Sequence, residues 1–231
     1  MTYLLAAVGV PAVFAALAYG LGMVSRGGAL GGFLVAALIY AGLGWRGFAV
    51  LALFVVGGSA LTRLGYRRKE RSGTAESGGG RRGARNALAN AGVAVACALL
   101  ARLTPYPEAF TAAFVASLGA AFADTAESEV GQIYSRAPRL ITTFVRVPPG
   151  TDGAISLSGT LAGLGAAGIT AAAGLGLGLI EDVGGARIVA VAAFLGTVVD
   201  SLIGAVAPRL GNELTNVACT LSAAVLVLAL S

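Results

Sequence analysis

No histidine occurs at any of the 231 positions of this sequence. Its absence excludes catalysis by imidazole, zinc sites built on imidazole and haem ligation by histidine. Acid–base or metal chemistry must therefore use carboxylates, hydroxyls, amides, arginine or the single lysine, Lys69. The sequence also lacks a G-K-[ST] tripeptide, which excludes a Walker A phosphate loop.

Charged residues are scarce, at 12% of the chain against about 25% in soluble domains. Hydrophobic residues make up 57% of the chain, and the mean hydropathy is +0.84. Only two cysteines occur, Cys97 and Cys219, and their apolar surroundings predict small core side chains. The composition predicts an all-α, polytopic transmembrane helical bundle, in which the 35 glycines allow close helix packing.

Apolar runs predict about seven to eight helices in a single membrane domain that covers residues 1–231. The second and third runs are short for a bilayer, which needs about 20 residues per helix, so they either span it or form a re-entrant hairpin. The predicted spans are residues 3–24, 29–44, 47–62, 86–103, 108–124, 154–180, 186–206 and 213–230.

The basic residues divide unequally between the two sides of this topology. Arg46, Arg102 and Arg187 fall on one side, and the other thirteen of the 16 Lys and Arg residues fall on the opposite side. The positive-inside rule places the thirteen in the cytoplasm and the N-terminus outside. We predict a multi-pass protein of the cell membrane with two cytoplasmic loops, a basic, Gly/Ser-rich and flexible one at 63–85 and a second one at 125–153.

Polar residues cluster near the predicted cytoplasmic ends of the helices. Such residues are costly at membrane depth, so their convergence from several helices needs a reason. Carboxylates beside arginines are typical of a Mg²⁺ ion bound together with phosphates. The clustered residues are Asn86, Asn90, Asp124, Glu127, Asp200, Ser201, Glu213 and Asn216.

Several of these side chains have simpler explanations, which the sequence leaves open. Asn86 can cap a helix, and the helix dipole favours Glu213 in a first turn. Thr151 and Asp152 precede a helix start that either binds an anion through free N–H groups or is a plain capped loop. The first basic loop either anchors the topology against anionic lipid or covers a phosphate site.

Several longer motifs resemble those of an integral-membrane family to which plant phytyl-phosphate kinase belongs. The first is ADTAESEVG at 123–131, which resembles the family's ADTxxSExG element. Together the motifs cover the chain from about Ser25 to the C-terminus. The others, in the expected order, are LTRLGYRRK, RGARNALANAG, PPGTDGAISLSGTLAG, FLGTVVDSLIGA and NELTNVACTLSAA.

This resemblance implies a kinase that converts an isoprenoid monophosphate, such as phytyl, geranylgeranyl or farnesyl phosphate, into the diphosphate. The expected donor is a nucleoside triphosphate, and related membrane kinases and cytidylyltransferases make CTP the expected one. Mg²⁺ is the expected cofactor, with the active site facing the cytoplasm. We expect the bilayer and no nucleic acid as partners, and leave a homodimer open.

Individual residues acquire expected roles from this resemblance. Asp124 and Asp200 are expected to bind Mg²⁺, with Glu129 as a third catalytic residue. Glu127 stands where a small apolar residue is expected and is therefore discounted. The expected substrate- and nucleotide-binding residues are Arg82, Arg85, Asn86, Asn90, Thr125, Ser128, Arg136, Arg139, Thr151, Asp152, Ser201, Glu213 and Asn216.

Two other functions compete with the kinase. A membrane cytidylyltransferase that makes a CDP-lipid would share the metal site and differ in which phosphorus is attacked. A secondary transporter of an anionic substrate would also need polar helix ends, but transporters usually place their site near the midplane and carry inverted repeats. Here the polar residues lie on one side, which favours an enzyme.

Overall fold

Apolar helices build the fold, and the computed structural model describes residues 2–230 without the side chains of Thr2 and Ser77. Two short strands, β1 and β2, pair antiparallel in the loop between two of the helices. The helices are α1 Thr2–Gly20, α2 Arg26–Arg63, α3 Tyr66–Arg71, α4 Ser77–Gly80, α5 Ala84–Leu103, α6 Pro107–Tyr134, α7 Leu157–Gly176, α8 Val183–Val206 and α9 Asn212–Leu230; the strands are β1 Arg139–Leu140 and β2 Ala154–Ile155.

Seven helices in residues 2–230 are long and apolar enough to cross a bilayer, namely α1, α2 and α5 to α9. This confirms the predicted all-α polytopic bundle. Both cysteines are buried and free, as predicted for small core side chains.

Helix α2 bends back on itself at Gly44, whose φ of 65° and ψ of −159° interrupt the helix. Its two limbs are antiparallel, because both ends of α2 lie close to Arg82. A Cβ at Gly28 would collide with the carbonyl oxygen of Arg82, and one at Gly58 would lie 3.6 Å from the Arg82 guanidinium. Each limb of about 18 residues is roughly 27 Å long. The second and third predicted spans are therefore the two limbs of one helical hairpin.

Helix α6 lies at the centre and packs against α2, α5, α7, α8 and α9. Its run of small residues permits this close packing. At Gly119, for example, an added Cβ would lie 3.1 Å from Ala193 and 3.5 Å from Thr170. Phe114 and Leu118 are fully buried in the resulting core.

The same helix continues to Tyr134, so the second loop begins at Ser135 and not at residue 125 as predicted. The polar composition after Asp124 does not end the helix, because the polar residues line one helical face. Asp124, Glu127 and Ser128 are spaced by three and four residues and turn together toward a cavity inside the bundle.

The two ends of the bundle differ in charge, as the distribution of basic residues predicts. Arg46 lies close to Gly178, and Arg102 donates a hydrogen bond to the carbonyl oxygen of Ala41 at 3.4 Å. These contacts join loops at one end. The loops that follow α1, α2, α6 and α8 lie at the other end and carry the thirteen remaining basic residues.

The basic loop at 63–85 is anchored at two points. Lys69 on α3 is fully buried; its ammonium donates to the carbonyl oxygen of Thr62 at 2.7 Å and forms an ion pair with Glu129 on α6. Further on, the Arg82 N–H donates to the Met23 carbonyl at 3.2 Å. The loop therefore runs from one fixed attachment to another across the end of the bundle.

The buried ion pair predicts a stability effect that depends on both partners. Removing one partner of a buried pair typically costs about 3–5 kcal/mol, because it leaves an uncompensated charge. We expect Lys69→Met and Glu129→Leu each to lower the free energy of unfolding by about 3 kcal/mol, and the double variant to lose less than their sum. Unfolding in detergent, followed by the fluorescence of Trp45, measures this. Arg71→Met, at an exposed position of α3, is the matched control, and additive losses would contradict a coupled pair.

The charge asymmetry predicts the orientation in the membrane. Thr142 lies in an exposed loop at the basic end, and Glu181 lies in an exposed loop at the other end. On intact cells, a membrane-impermeant maleimide should label Glu181→Cys and leave Thr142→Cys unlabelled until the cells are permeabilised. Both native cysteines are buried and give little background. Labelling of Thr142→Cys on intact cells would reverse the predicted orientation.

Candidate functional site

A polar cavity of about 940 Å³ opens at the basic end of the bundle. Its walls are the end of α6, the end of α8 and the first turns of α5, α7 and α9. Three loop segments, 72–76, 81–83 and 149–156, contribute the remaining lining together with Pro138. All the helix ends that were predicted to carry polar residues therefore meet around one cavity.

Carboxylates from α6 and α8 face one another in this cavity. Asp124 lies close enough to Asp200 and Glu127 for the three carboxylates to interact electrostatically. The Glu127 side chain crosses α7 at Gly163, where any Cβ would collide with it. Close packing of α6 on α7 therefore depends on a glycine and directs Glu127 along the cavity wall, toward Thr197.

Asp200 has an unusual feature for a buried carboxylate. Its Oδ1 atom is buried and has no hydrogen-bond partner within the described part of the chain, and the same holds for Oε1 of Gln132. Thr215 on α9 lies within reach of the carboxylate. Buried polar atoms nearly always have a hydrogen-bond partner, so two buried oxygens without one are exceptions. Both are available to accept a hydrogen bond or to bind a cation that enters the cavity.

Arg82 supplies a fixed positive charge beside these carboxylates. Its guanidinium donates to Thr125 Oγ1 at 3.2 Å and stands 5.7 Å from the ring centroid of Phe54. Burial lowers the pKa of Arg82, while the carboxylates of Glu129, Glu76 and Asp124 oppose that shift. Arginine remains protonated in proteins, so a cation is fixed in position before any ligand binds.

Two of the lining loops meet over the cavity. Gly150 approaches Thr74 so closely that an added Cβ would lie 2.7 Å from Thr74 Cγ2. Gly153, with φ of +74°, packs directly on the Ala205 backbone near the end of α8. This contact brings Thr151 and Asp152 to the rim, and Ser156 caps α7 beside them by accepting a hydrogen bond from Gly159.

Most of the predicted site residues line this cavity. Glu129 does so too, but its carboxylate is engaged by Lys69, so it supports the cavity wall instead of facing a ligand freely. The Asn90 side chain donates back to the Asn86 carbonyl at 3.0 Å. The lining set comprises Arg82, Arg85, Asn86, Asn90, Asp124, Thr125, Ser128, Glu129, Thr151, Asp152, Asp200, Ser201, Glu213 and Asn216.

Arg136 and Arg139 are placed elsewhere. Both are exposed, and neither lines the cavity. The segment after α6 folds on itself through β1 and β2, so that the Arg139 guanidinium donates to the Phe144 carbonyl at 2.6 Å. Of the four arginines that were expected to bind substrate or nucleotide, the structure brings Arg82 and Arg85 to the cavity.

Sequence reasoning missed several lining residues. Glu127 was discounted, yet it lies one helical turn from Asp124 on the same face, a spacing that was visible in the sequence. Gln132 and Thr215 also line the cavity. Lys69 belongs to a basic run whose other members are exposed, and no sequence signal distinguishes it from them.

The chain alone does not form a closed metal site. Within residues 2–230, no group of three or more acidic, cysteine or histidine side chains is arranged to hold an ion. The cavity instead offers scattered carboxylates, hydroxyls and amides around one fixed guanidinium. Such a lining suits a ligand that carries both negative and positive charge, such as a polyphosphate with its counterion.

The chain is similar to proteins from cyanobacteria, plants and archaea. It is 42% identical over 190 residues to Uncharacterized membrane protein sll0875 of Synechocystis sp., covering 80% of this chain and 73% of that protein. It is 36% identical over 185 residues to Protein VTE6, chloroplastic, of Arabidopsis thaliana, covering 78% of this chain and 55% of that longer protein. Uncharacterized membrane protein MJ0933 of Methanocaldococcus jannaschii is 32% identical over 197 residues, with 84% and 80% covered.

The family model described as Integral membrane protein DUF92 matches residues 9–224, which is nearly the whole bundle. No solved structure was found to match the chain. The matched region includes the part of every helix that borders the polar cavity, and it ends within α9. As the resemblance of its motifs predicts, the chain belongs to the DUF92 family of integral membrane proteins.

Proposed function

We propose that this protein is a kinase that transfers a phosphoryl group from a nucleoside triphosphate, CTP by family analogy, to an isoprenoid monophosphate. The observation that carries the proposal is the single cavity in which Asp124, Asp200 and Arg82 meet at one end of a membrane bundle. A phosphorylated lipid and a soluble nucleotide can meet only at such a boundary. The motif resemblance to the family of plant phytyl-phosphate kinase supports the same chemistry.

Magnesium fits the cavity as a cofactor that arrives with the nucleotide. Mg²⁺ usually takes one or two carboxylates from the protein and completes its shell with phosphates and water. The buried, unpartnered Oδ1 of Asp200 is an acceptor of the required kind, and Asp124 lies beside it. When bound, the ion would neutralise charge on the nucleotide phosphates.

The protein's own residues act mainly by positioning and charge. Arg82 is held by Thr125 and by the backbone of the loop before α2, so its fork points into the cavity without reorganisation. Arg85 and the hydroxyls of Ser128 and Thr151 line the same space and are suited to hydrogen bonding with phosphate oxygens.

The transfer itself needs no strong base. An oxygen of the lipid monophosphate attacks the terminal phosphorus of the nucleotide, a new P–O–P bond forms, and the bond to the β-phosphate oxygen breaks to release the nucleoside diphosphate. The nucleophile already carries negative charge, so no proton has to be removed. This agrees with a chain that contains no histidine and with the general reliance of phosphoryl transfer on positioning.

Product analysis tests the proposal. Purified protein in detergent is incubated with Mg²⁺, with CTP or ATP, and with prenyl monophosphates of increasing chain length. Prenyl diphosphate with CDP or ADP supports the kinase. A CDP-lipid with pyrophosphate would establish the cytidylyltransferase instead, and absence of turnover, with uptake of an anion into proteoliposomes, would establish transport.

The carboxylates predict a loss of activity without a loss of fold. Asp124→Asn and Asp200→Asn should each lower kcat by roughly 100-fold or more, the usual scale for removing one charge-stabilising group from an active site. Both residues lie at a polar cavity and not in the apolar core, so the melting temperature should stay near the wild-type value. Asp182→Asn, at the opposite end of α8, is the matched control and should retain activity. Full activity of both variants would remove the carboxylates from the mechanism.

Head-group recognition by Arg82 predicts discrimination between phosphates and alcohols. Monophosphates with about 15 to 20 carbons, a range implied by the family resemblance, should be phosphorylated. The corresponding alcohols should react at least roughly 100-fold more slowly, because they leave a buried guanidinium unpaired. The measurement compares kcat/KM for farnesol and farnesyl phosphate under identical conditions. Similar kcat/KM values for the two compounds would show that Arg82 does not recognise the phosphate head group.

A further inference from the structure

A second, apolar cleft lies beside the polar cavity and shares lining residues with it. The cleft runs between α1, the two limbs of α2 and the first turns of α5. Its lining is aliphatic and aromatic apart from Ser59 and one end, where it reaches Arg82, Gly83 and Asn86. The same three residues line the polar cavity, so the two spaces share a wall at the guanidinium.

The cleft has the shape of a channel for a chain. Along α2 its lining runs from Gly28 to Ala36, eight residues that span about 12 Å. Small side chains keep it open, including Ala15 and Ala18 on α1 and Gly32 on α2. At Gly32 no atom lies within 4 Å of the position of an added Cβ, so the space there is empty.

One wall of this cleft is weakly held. Helix α1 packs chiefly on α2, whereas α6 is surrounded by helices on all sides. Leu4, Leu5 and Val13 of α1 are exposed on its outer surface. A helix with few tertiary contacts moves at low energetic cost. The cleft has a volume of only about 60 Å³ as it stands, so a long chain enters it only if α1 moves outward, and α1 does not line the cavity that holds the carboxylates.

We propose that this cleft binds the hydrocarbon chain of a lipid phosphate whose head group lies at Arg82. The inference rests on the proposed function insofar as the polar cavity takes the phosphate. Charge complementarity fixes the direction of the lipid, because Arg82, the one cation among the described residues that line the cleft, stands at the end shared with the polar cavity. An apolar chain that continues from a phosphate held there enters the cleft directly.

A side chain that fills the cleft should impair the reaction of long-chain substrates and leave that of short-chain substrates unaffected. Gly32 lies one helical turn beyond Gly28, about 6 Å further from the head-group end. Gly32→Leu places a side chain in the empty space without a backbone collision. Gly168→Leu on α7 is the matched control, because Gly168 is exposed, is equally free of neighbours and lies outside the cleft.

The first measurement is the ratio of kcat/KM for a C20 prenyl phosphate to that for the C5 dimethylallyl phosphate. Gly32→Leu should lower this ratio by roughly tenfold or more, because the added side chain occupies space that a C20 chain would enter and a C5 chain does not reach. Gly168→Leu should keep the wild-type ratio. An unchanged ratio in Gly32→Leu, in an active enzyme, would overturn the cleft as the chain site.

A second measurement does not depend on turnover. A C20 prenyl phosphate that carries a diazirine in its third isoprene unit is photo-crosslinked to wild-type protein in nanodiscs, and the labelled peptides are mapped. Labels within residues 14–36 that weaken in Gly32→Leu, and weaken also when the alcohol replaces the phosphate, support the cleft. The same labels in a protein that phosphorylates no prenyl phosphate would retain the cleft and overturn the kinase. Labels confined to other helices would overturn the cleft whether or not the protein is a kinase.

Discussion

The rest of this structure depends on the contacts of Arg82, a residue whose guanidinium is buried. Its backbone pairs with the loop before α2, and its carbonyl fits against Gly28 only because that residue has no side chain. Its side chain reaches the second limb of α2 and Thr125 on the central helix. One residue thereby fastens the α2 hairpin to α6 and presents a charge between a polar and an apolar space.

Carboxylates that are left unpaired at membrane depth reduce stability, and the fold pairs one of them directly. Lys69 neutralises Glu129 deep under the basic loop, so that one carboxylate is satisfied inside the protein. Asp124 and Asp200 form no ion pair within residues 2–230, and Arg82 supplies the positive charge that acts on Asp124. Within the proposed function, the same feature that weakens the empty protein makes binding of a metal–nucleotide complex favourable.

The sequence predicts the larger features because they depend on composition. Hydropathy located the spans, and the distribution of arginine separated the two ends of the bundle. The polar helix ends pointed to one site because residues such as Asp200 have apolar neighbours and no local partner. Features set by tertiary packing were missed. The length of α6 beyond Asp124 depends on a cavity that only the folded bundle contains, and burial of Lys69 among exposed arginines depends on where α3 docks.

The contact between Gly150 and Thr74 joins the two loops at the watery end of the polar cavity, whereas α1 borders the apolar cleft from the bilayer. The loops and α1 therefore bound two different spaces, which meet at Arg82. For the proposed kinase, a soluble donor enters through the polar cavity and a membrane-dissolved acceptor enters through the cleft. Neither blocks the path of the other, so the architecture imposes no compulsory order of binding, and the product can leave into the membrane while the spent nucleotide returns to water.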